Sequence, residues 1–352
     1  MQIAKKDITD AVEENIISAD QADALWTFLD DRSGGRVKFD LIHVAYYCGA
    51  LLVIAAMTWF MTEAWDAFGG AGLFALASAY AAGFFIVGAL LWRRPDLKTP
   101  GGLLVTMAVC MVPVALFGLQ MWLSLWHVDE PLSHRTLHAW LQGQWFAMEL
   151  ATILAGCIAL IFIRFPFLTA PVAFAVWYMS MDITPILFSG EDGTTNWDDR
   201  RLVSVWFGLA MLLGAYLIDR RTKADFALWG YIFGLIAFWT GLTFTGATSE
   251  AARFGYFVIN VGLVGLSVFL RREIFILFGA VGIAIYLGHL AHRVFEDSLL
   301  FPLTLTVLGL LLLYGGIVLK RNQARLAGFI EDNMPASLKR LRPQERALDF
   351  GA

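Results

Sequence analysis

Asp182 and Glu149 are acidic side chains that lie inside long apolar stretches of the sequence. A carboxyl group is expensive in lipid, so such residues usually mark an ion or proton pathway. Pro185 follows Asp182 closely, and a proline frees backbone carbonyls that can line a cavity. The pattern predicts an outward-opening cavity with two carboxyl groups as ligands, lined by Asp182, Glu149, Ser180 and Thr184. The alternative is that Asp182 lies among the headgroups and only marks a helix end.

Three of the six histidines fall in one polar stretch, HVDEPLSHRTLHAWLQGQW at 127–145. His134 and His138 are four residues apart and would share one face of a helix. His289 and His292 could supply the other half of a metal site. The sequence otherwise predicts no cofactor, and this metal ion is the one alternative. We favour a different interpretation, in which 127–145 is a short interfacial helix that covers the cavity as a lid.

The elements that would position these residues are membrane helices. The chain has 352 residues, of which 58% are hydrophobic and 16% are charged, whereas soluble domains carry about 25% charged residues. Backbone groups in lipid must bond within their own segment, so the apolar runs predict an all-α polytopic bundle. We predict about ten spans, at 41–61, 68–92, 101–123, 146–163, 167–188, 202–218, 226–244, 254–270, 274–290 and 300–319.

Basic residues in the gaps between these spans set the orientation. With the N-terminus in the cytoplasm, 21 of the 26 Lys and Arg residues fall on the inner side. The sequence therefore predicts that both termini are cytoplasmic and that 127–145 and the acidic gap near Asp198 lie outside.

Two soluble segments flank the predicted transmembrane domain, which spans 40–320. Residues 1–39 predict a cytoplasmic helical hairpin, in which Ser18 and Gln21 form a capping box and Leu25, Trp26 and Leu29 are buried. Residues 321–352 form a basic tail suited to anionic lipid headgroups. The hairpin could pack on the membrane domain or, through residues 1–33, dock a protein partner. Nucleic acid is not expected as a partner, because the hairpin is acidic.

Three motifs resemble one protein family: IISADQADAL, GALLVIAAMTWF with Trp59, and VPVALFGLQMWLSLW with Gln120. They are similar to those of a bacterial family of predicted multi-pass membrane proteins of unknown function with a short N-terminal helical segment. The resemblance is strongest over about the first 145 residues. It implies a multi-pass protein of the bacterial inner membrane and carries no catalytic residues.

The function favoured by these features is that of a transporter or channel-like protein for a small solute or ion. One alternative is an accessory subunit that acts through its cytoplasmic hairpin, and another is a metal-binding protein or enzyme at the outer face. An enzyme is the weaker expectation, because the sequence has neither a GxxxxGK[ST] nor a GxSxG motif. Small residues on the seventh and eighth spans predict close helix packing, at Gly230, Gly234, Gly241, Gly262 and Gly265.

Overall fold

The computed structural model describes residues 41–125, 134–188, 197–222, 224–244 and 249–295, together with 12, 17–18, 20–22, 24–25, 303, 306–307, 309–310 and 314. These residues fall into two compact units, which divide between Ala55 and Ala56. Every regular element in the described part of the chain is helical, and none is a strand. The predicted all-α fold class is therefore confirmed.

Within the described ranges, eight α-helices occupy the positions of the predicted first to ninth spans. They are α1 (Leu41–Trp92), α2 (Lys98–Trp122), α3 (His134–Phe162), α4 (Thr169–Phe188), α5 (Trp197–Arg221), α6 (Leu228–Thr243), α7 (Glu250–Leu270) and α8 (Ile274–Phe295). Short 3-10 helices at Pro95–Leu97 and Pro166–Leu168 precede α2 and α4.

Six stretches of the described residues are long and apolar enough to cross a membrane. They are Phe68–Trp92, Pro95–Trp122, Gln144–Phe162, Asp198–Arg221, Glu250–Leu270 and Ile274–Ala291. The chain is accordingly a membrane protein with several transmembrane helices. The total of about ten spans and the cytoplasmic position of both termini stay predictions.

The first two predicted spans correspond to two helical parts of α1 that meet at Gly69. We expected a connection at 62–67, but α1 runs through it and leaves helical geometry at Gly69, where φ is 61° and ψ is −163°. Residues 62–67 contain neither proline nor glycine and so have no reason to stop the helix. Glycine tolerates this positive φ because it has no Cβ.

Glycines let the second part of α1 pack closely against α2 in an antiparallel pair. A Cβ on Gly118 would lie 2.5 Å from the backbone nitrogen of Phe74. Near the other end, a Cβ on Gly101 would lie 2.8 Å from the backbone nitrogen of Trp92. Side chains at these positions would force the two helices apart.

The described helices form two larger apolar cores, each among a different set of helices. One lies among α2, α3 and the second 3-10 helix, and comprises Val105, Val109, Ala159, Ile163 and Leu168. The other lies among α5, α6, α7 and α8 and includes Ala215, Tyr231, Leu235, Phe238, Leu263, Leu270 and Phe275. Aromatic rings join α4 to α6 between them, with Trp177 and Phe174 each 5.7 Å from Phe233.

The predicted glycine packing is confirmed for α6 and not for α7. Gly230, Gly234 and Gly241 approach α5, and a Cβ on Gly241 would lie 2.9 Å from the carbonyl oxygen of Arg201. A Cβ added to Gly262 or Gly265 would have no described atom within 4 Å. Small residues permit close packing but do not by themselves dictate which face a neighbour occupies.

The capping box near the N-terminus is confirmed. The amide of Ser18 donates to Oε1 of Gln21 at 3.1 Å, and the amide of Gln21 donates to Oγ of Ser18 at 3.3 Å. Ala22 is buried, but Leu25 is 42% exposed, so its predicted burial is wrong. Leu25 lies three residues on from Ala22, about 60° round the helix, at the edge of the apolar stripe.

Other predictions for the terminal segments fall outside the described residues. These concern Trp26, Leu29 and the basic tail at 321–352. The proposed boundaries of the hairpin, the transmembrane domain and the tail stay predictions.

Candidate functional site

Helices α3 and α4 form an antiparallel hairpin that brings Glu149 and Asp182 together. Pro166, at the turn, lies 17 residues after Glu149 and 16 residues before Asp182. Positions equally far from such a turn come level with each other when the two helices pack. The side chains of Glu149 and Asp182 are within hydrogen-bonding reach of one another.

Glu149 is buried and Asp182 is half-buried, and their buried oxygens receive no hydrogen bond from a donor in the described part of the chain. Glu149 is only 6% exposed. Both of its carboxyl oxygens, and Oδ2 of Asp182, are closed off from solvent and have no donor among the described residues. Burying a charge without a partner costs several kcal/mol, which is comparable with the whole free energy of unfolding of a small domain. Unsatisfied buried acids of this kind mark the pair as a candidate functional site.

An aromatic residue precedes each of the two acids by one helical turn. Trp145 lies one helical turn before Glu149, and Tyr178 lies one turn before Asp182. Their ring centroids are 6.4 Å apart. Residues four apart share a helix face, so both rings lie on the faces that carry the acids.

Two glutamines tie the end of α2 to the middle of α3, where Gln144 lies. Nε2 of Gln120 donates to the backbone oxygen of Gln144 at 3.1 Å, and Nε2 of Gln144 donates to the backbone oxygen of Leu125. Oε1 of Gln144 is buried and has no donor among the described residues. Sequence reasoning missed Gln144, although its place at the polar start of an apolar run was a usable signal.

Ser180 and Thr184 were also predicted to line the site, and this stays a prediction, although their hydroxyls donate to backbone oxygens of their own helix. Each is two residues from Asp182, which places it about 200° round the helix. The hydroxyl of Ser180 donates to the backbone oxygen of Trp177 at 2.6 Å, and that of Thr184 to the backbone oxygen of Ser180 at 3.0 Å. The prediction grouped these residues with Asp182 by their nearness in sequence, whereas a helix groups residues three or four apart.

The histidine-rich stretch does not form a separate lid. Helix α3 begins at His134 and continues without a break to Phe162. At 1.5 Å per residue, this places the backbone of His134 about 22 Å from that of Glu149. The predicted lid over Glu149 and Asp182 is therefore wrong. Gly143 lies between His134 and Glu149, but this single glycine does not interrupt the helix. Residues 127–133 lie outside the described part of the chain.

The predicted metal site gains no support from His289. Nε2 of His289 lies 2.8 Å from Nη1 of Arg253. Arginine can only donate, so Nε2 must accept and its lone pair is occupied. The side chains of His134, His138 and His292 are outside the described set, so the four-histidine site stays a prediction. Within the described residues, no three His, Cys, Asp or Glu side chains are grouped closely enough to hold a metal ion.

A second buried charge cluster joins the ends of α5 and α6 to the turn between α7 and α8. Arg272 contacts Asp219 at 3.0 Å and Asp225 at 2.8 Å. The hydroxyl of Tyr231 donates to Asp219 at 3.3 Å, and the Arg272 guanidinium lies 5.3 Å from the centre of the Tyr231 ring. Sequence reasoning counted Arg272 only as an inner-side charge and missed Asp219.

The pKa of Arg272 is raised above its ordinary value. Burial, the largest influence, acts to lower this pKa, but hydrogen bonds and charge attraction from Asp225 and Asp219 outweigh it. A group with a raised pKa in the folded state contributes its full stabilisation at every pH below its unfolded pKa. For an arginine this covers the whole working range, so Arg272 is a permanently charged structural clamp.

Asn260 forms the interhelical hydrogen bond predicted for it. This fully buried residue of α7 accepts a hydrogen bond at 3.0 Å from Nε1 of Trp239 in α6, and its own Nδ2 donates to the backbone oxygen of Tyr256. Its polar atoms are thus satisfied within the bundle, which indicates a packing role.

The family resemblance noted from the sequence is confirmed over the first third of the chain. Residues 10–127 match the family model described as "Predicted membrane protein (DUF2157)". No curated protein and no solved structure matches the sequence. The matched residues include α1 and α2 and end before α3, so the carboxyl pair lies outside them.

Proposed function

We propose that this membrane protein is a transporter or channel-like protein for a small solute or ion, and that Glu149 and Asp182 form its working site. One observation carries the proposal: two acidic side chains meet inside a membrane helix hairpin without any described donor to neutralise them. Intramembrane acids of this kind are costly and are retained where they handle ions or protons.

The position of the pair suits access from one membrane face. Glu149 lies five residues into the apolar stretch Gln144–Phe162, about one and a half helical turns from its end. In the topology that we propose, with about ten spans and both termini in the cytoplasm of a bacterium, this end faces outward. The clamp at Arg272 is then at the inner face, on the opposite side of the membrane.

Flux measurements in proteoliposomes test this function. The purified full-length protein is reconstituted with internal reporter dyes, and gradients of Na⁺, K⁺, protons or labelled small solutes are imposed. We expect wild-type vesicles to show flux under at least one of these gradients. Glu149→Gln or Asp182→Asn should lower it by about tenfold or more, which corresponds to losing roughly 1.4 kcal/mol of barrier stabilisation.

Asp198→Asn is the matched control, because Asp198 is an exposed acid on α5 paired with Arg201 at 2.8 Å. Its flux should equal that of wild type at the same level of reconstitution. Flux no greater than in empty vesicles under every gradient would contradict the proposal. Equal flux in wild type and both site variants would remove Glu149 and Asp182 from it.

A further inference from the structure

We propose that the ion held between Glu149 and Asp182 is a single proton shared by the two carboxyl groups, so that the site exchanges protons rather than metal cations. This inference rests on the proposed function and names the ion that the same site would handle. In the closed pair one residue is a carboxylic acid that donates and the other is a carboxylate that accepts.

The contact itself requires a proton. An ionised carboxylate can only accept hydrogen bonds, and two carboxylates in contact repel each other. Glu149 and Asp182 are within hydrogen-bonding reach, and their buried oxygens receive no other hydrogen bond from the described residues. One proton between them supplies the missing donor and halves the buried charge. The proton then belongs to the pair rather than to either residue.

No basic side chain competes for this role on the described helices packed against the hairpin. Helix α2 has a single charged residue, Lys98, at its start, and α6 has none. The charges of α5 lie at its two ends, at 198–201 and 219–221. On the hairpin itself, Arg164 lies at the turn, 15 residues from Glu149, which is about 22 Å along the helix. At the other end of α3, Arg135 and His138 lie 14 and 11 residues before Glu149, about 21 and 16 Å along the helix, and His134 lies farther still. Tyr178, the nearest titratable neighbour by helical register, donates to none of the buried oxygens.

The same surroundings do not suit a metal cation. A hard cation takes about six or more oxygen ligands, whereas within the described residues no group of three or more acidic, His or Cys side chains is present. The nearby hydroxyl of Thr152, one turn from Glu149, donates to the backbone oxygen of Met148 at 2.7 Å. A proton needs no coordination shell and fits between two oxygens that are already in contact.

Infrared spectroscopy of the purified full-length protein in detergent tests the shared proton. At neutral pH the wild type should show the carbonyl band of one buried protonated carboxyl group. Glu149→Gln and Asp182→Asn should each remove or shift this same band, and Asp198→Asn should leave it unchanged. Adding Na⁺ or K⁺ at constant pH should also leave it unchanged.

Three results would overturn the proposal: no such band in the wild type, a band altered by only one of the two substitutions, or a band lost on addition of Na⁺ or K⁺. The second would assign the proton to one residue, and the third would indicate a cation site. The infrared result is independent of transport. A shared-proton band in a protein without flux would defeat the proposed function alone, whereas flux driven by Na⁺ without that band would defeat only the shared proton.

Discussion

Buried acids occur in two opposite settings in this protein. Asp219 is 2% exposed and is matched by Arg272 and Tyr231, so its charge is neutralised and its role is structural. Glu149 is 6% exposed, but no described residue donates a hydrogen bond to its carboxyl oxygens, and the group within hydrogen-bonding reach is another acid, Asp182. A buried charge with a partner indicates a structural role, as at Arg272, whereas a buried charge without one indicates a functional site, as at Glu149.

The clamp yields a stability prediction. Asp219→Ala should lower the free energy of unfolding by about 3 kcal/mol, because it leaves buried Arg272 and Tyr231 without their shared acceptor. Asp225→Ala should cost less than about 1 kcal/mol, because Asp225 is 40% exposed and its charge is partly solvated. Thermal unfolding of both variants in the same detergent measures the difference. Equal losses in the two variants would show that burial does not set the strength of this cluster.

Sequence reasoning identified Glu149 and Asp182 individually, because charges stand out in apolar runs. Their pairing was also within reach, since they are almost equally far from Pro166. Ser180 and Thr184 were grouped with Asp182 by their nearness in sequence, although residues two apart lie about 200° apart round a helix. Asp219 was overlooked because a charge at a span's end is ordinarily solvated, and only tertiary packing shows that this one is buried.

At the scale of helices, glycines determine how closely neighbours pack. A Cβ on Gly208 of α5 would lie 2.4 Å from the backbone nitrogen of Phe238 in α6, whereas Gly214 of the same helix has no described atom within 4 Å. Backbone atoms cannot move aside as a flexible side chain can, so the two positions should respond differently to the same substitution.

We predict that Gly208→Ala lowers the free energy of unfolding by about 1–3 kcal/mol through overpacking. Gly214→Ala should be neutral or stabilise by up to about 1 kcal/mol, because alanine is the better helix former. Thermal unfolding in detergent compares the two variants directly. A Gly208→Ala variant as stable as Gly214→Ala would contradict the close contact between α5 and α6.

Helix positions followed from the sequence better than helix ends did. Apolar runs located the helices, because each run must satisfy its own backbone in lipid. The continuation of α1 through 62–67 and the extension of α3 back to His134 were missed. In both cases the polar residues were taken to indicate the end of a helix. Polar residues are compatible with a helix where no proline or helix-ending glycine interrupts it.

For the whole molecule, the distribution of basic residues predicts the orientation in the membrane. In a variant lacking Cys48, Cys110 and Cys157, single cysteines at Thr136 and Thr195 should react with a membrane-impermeant thiol reagent added outside intact cells. A cysteine at Thr222, after α5, should react only once the membrane is opened. The reverse pattern would show that the protein is inserted the other way, with the termini outside.

The central claim is that Glu149 and Asp182 form one site, and a double-mutant cycle tests it most directly. The unfolding free energies of the wild type, Glu149→Gln, Asp182→Asn and the double variant are measured in one detergent. Residues in contact couple by about 0.5–3 kcal/mol, whereas distant residues add to within about 0.5 kcal/mol. We predict coupling above that limit, because each new amide can donate to the remaining carboxylate. In the control cycle of Glu149→Gln with Asp198→Asn, the changes in unfolding free energy should add. If the changes for Glu149→Gln and Asp182→Asn also add, the account is contradicted.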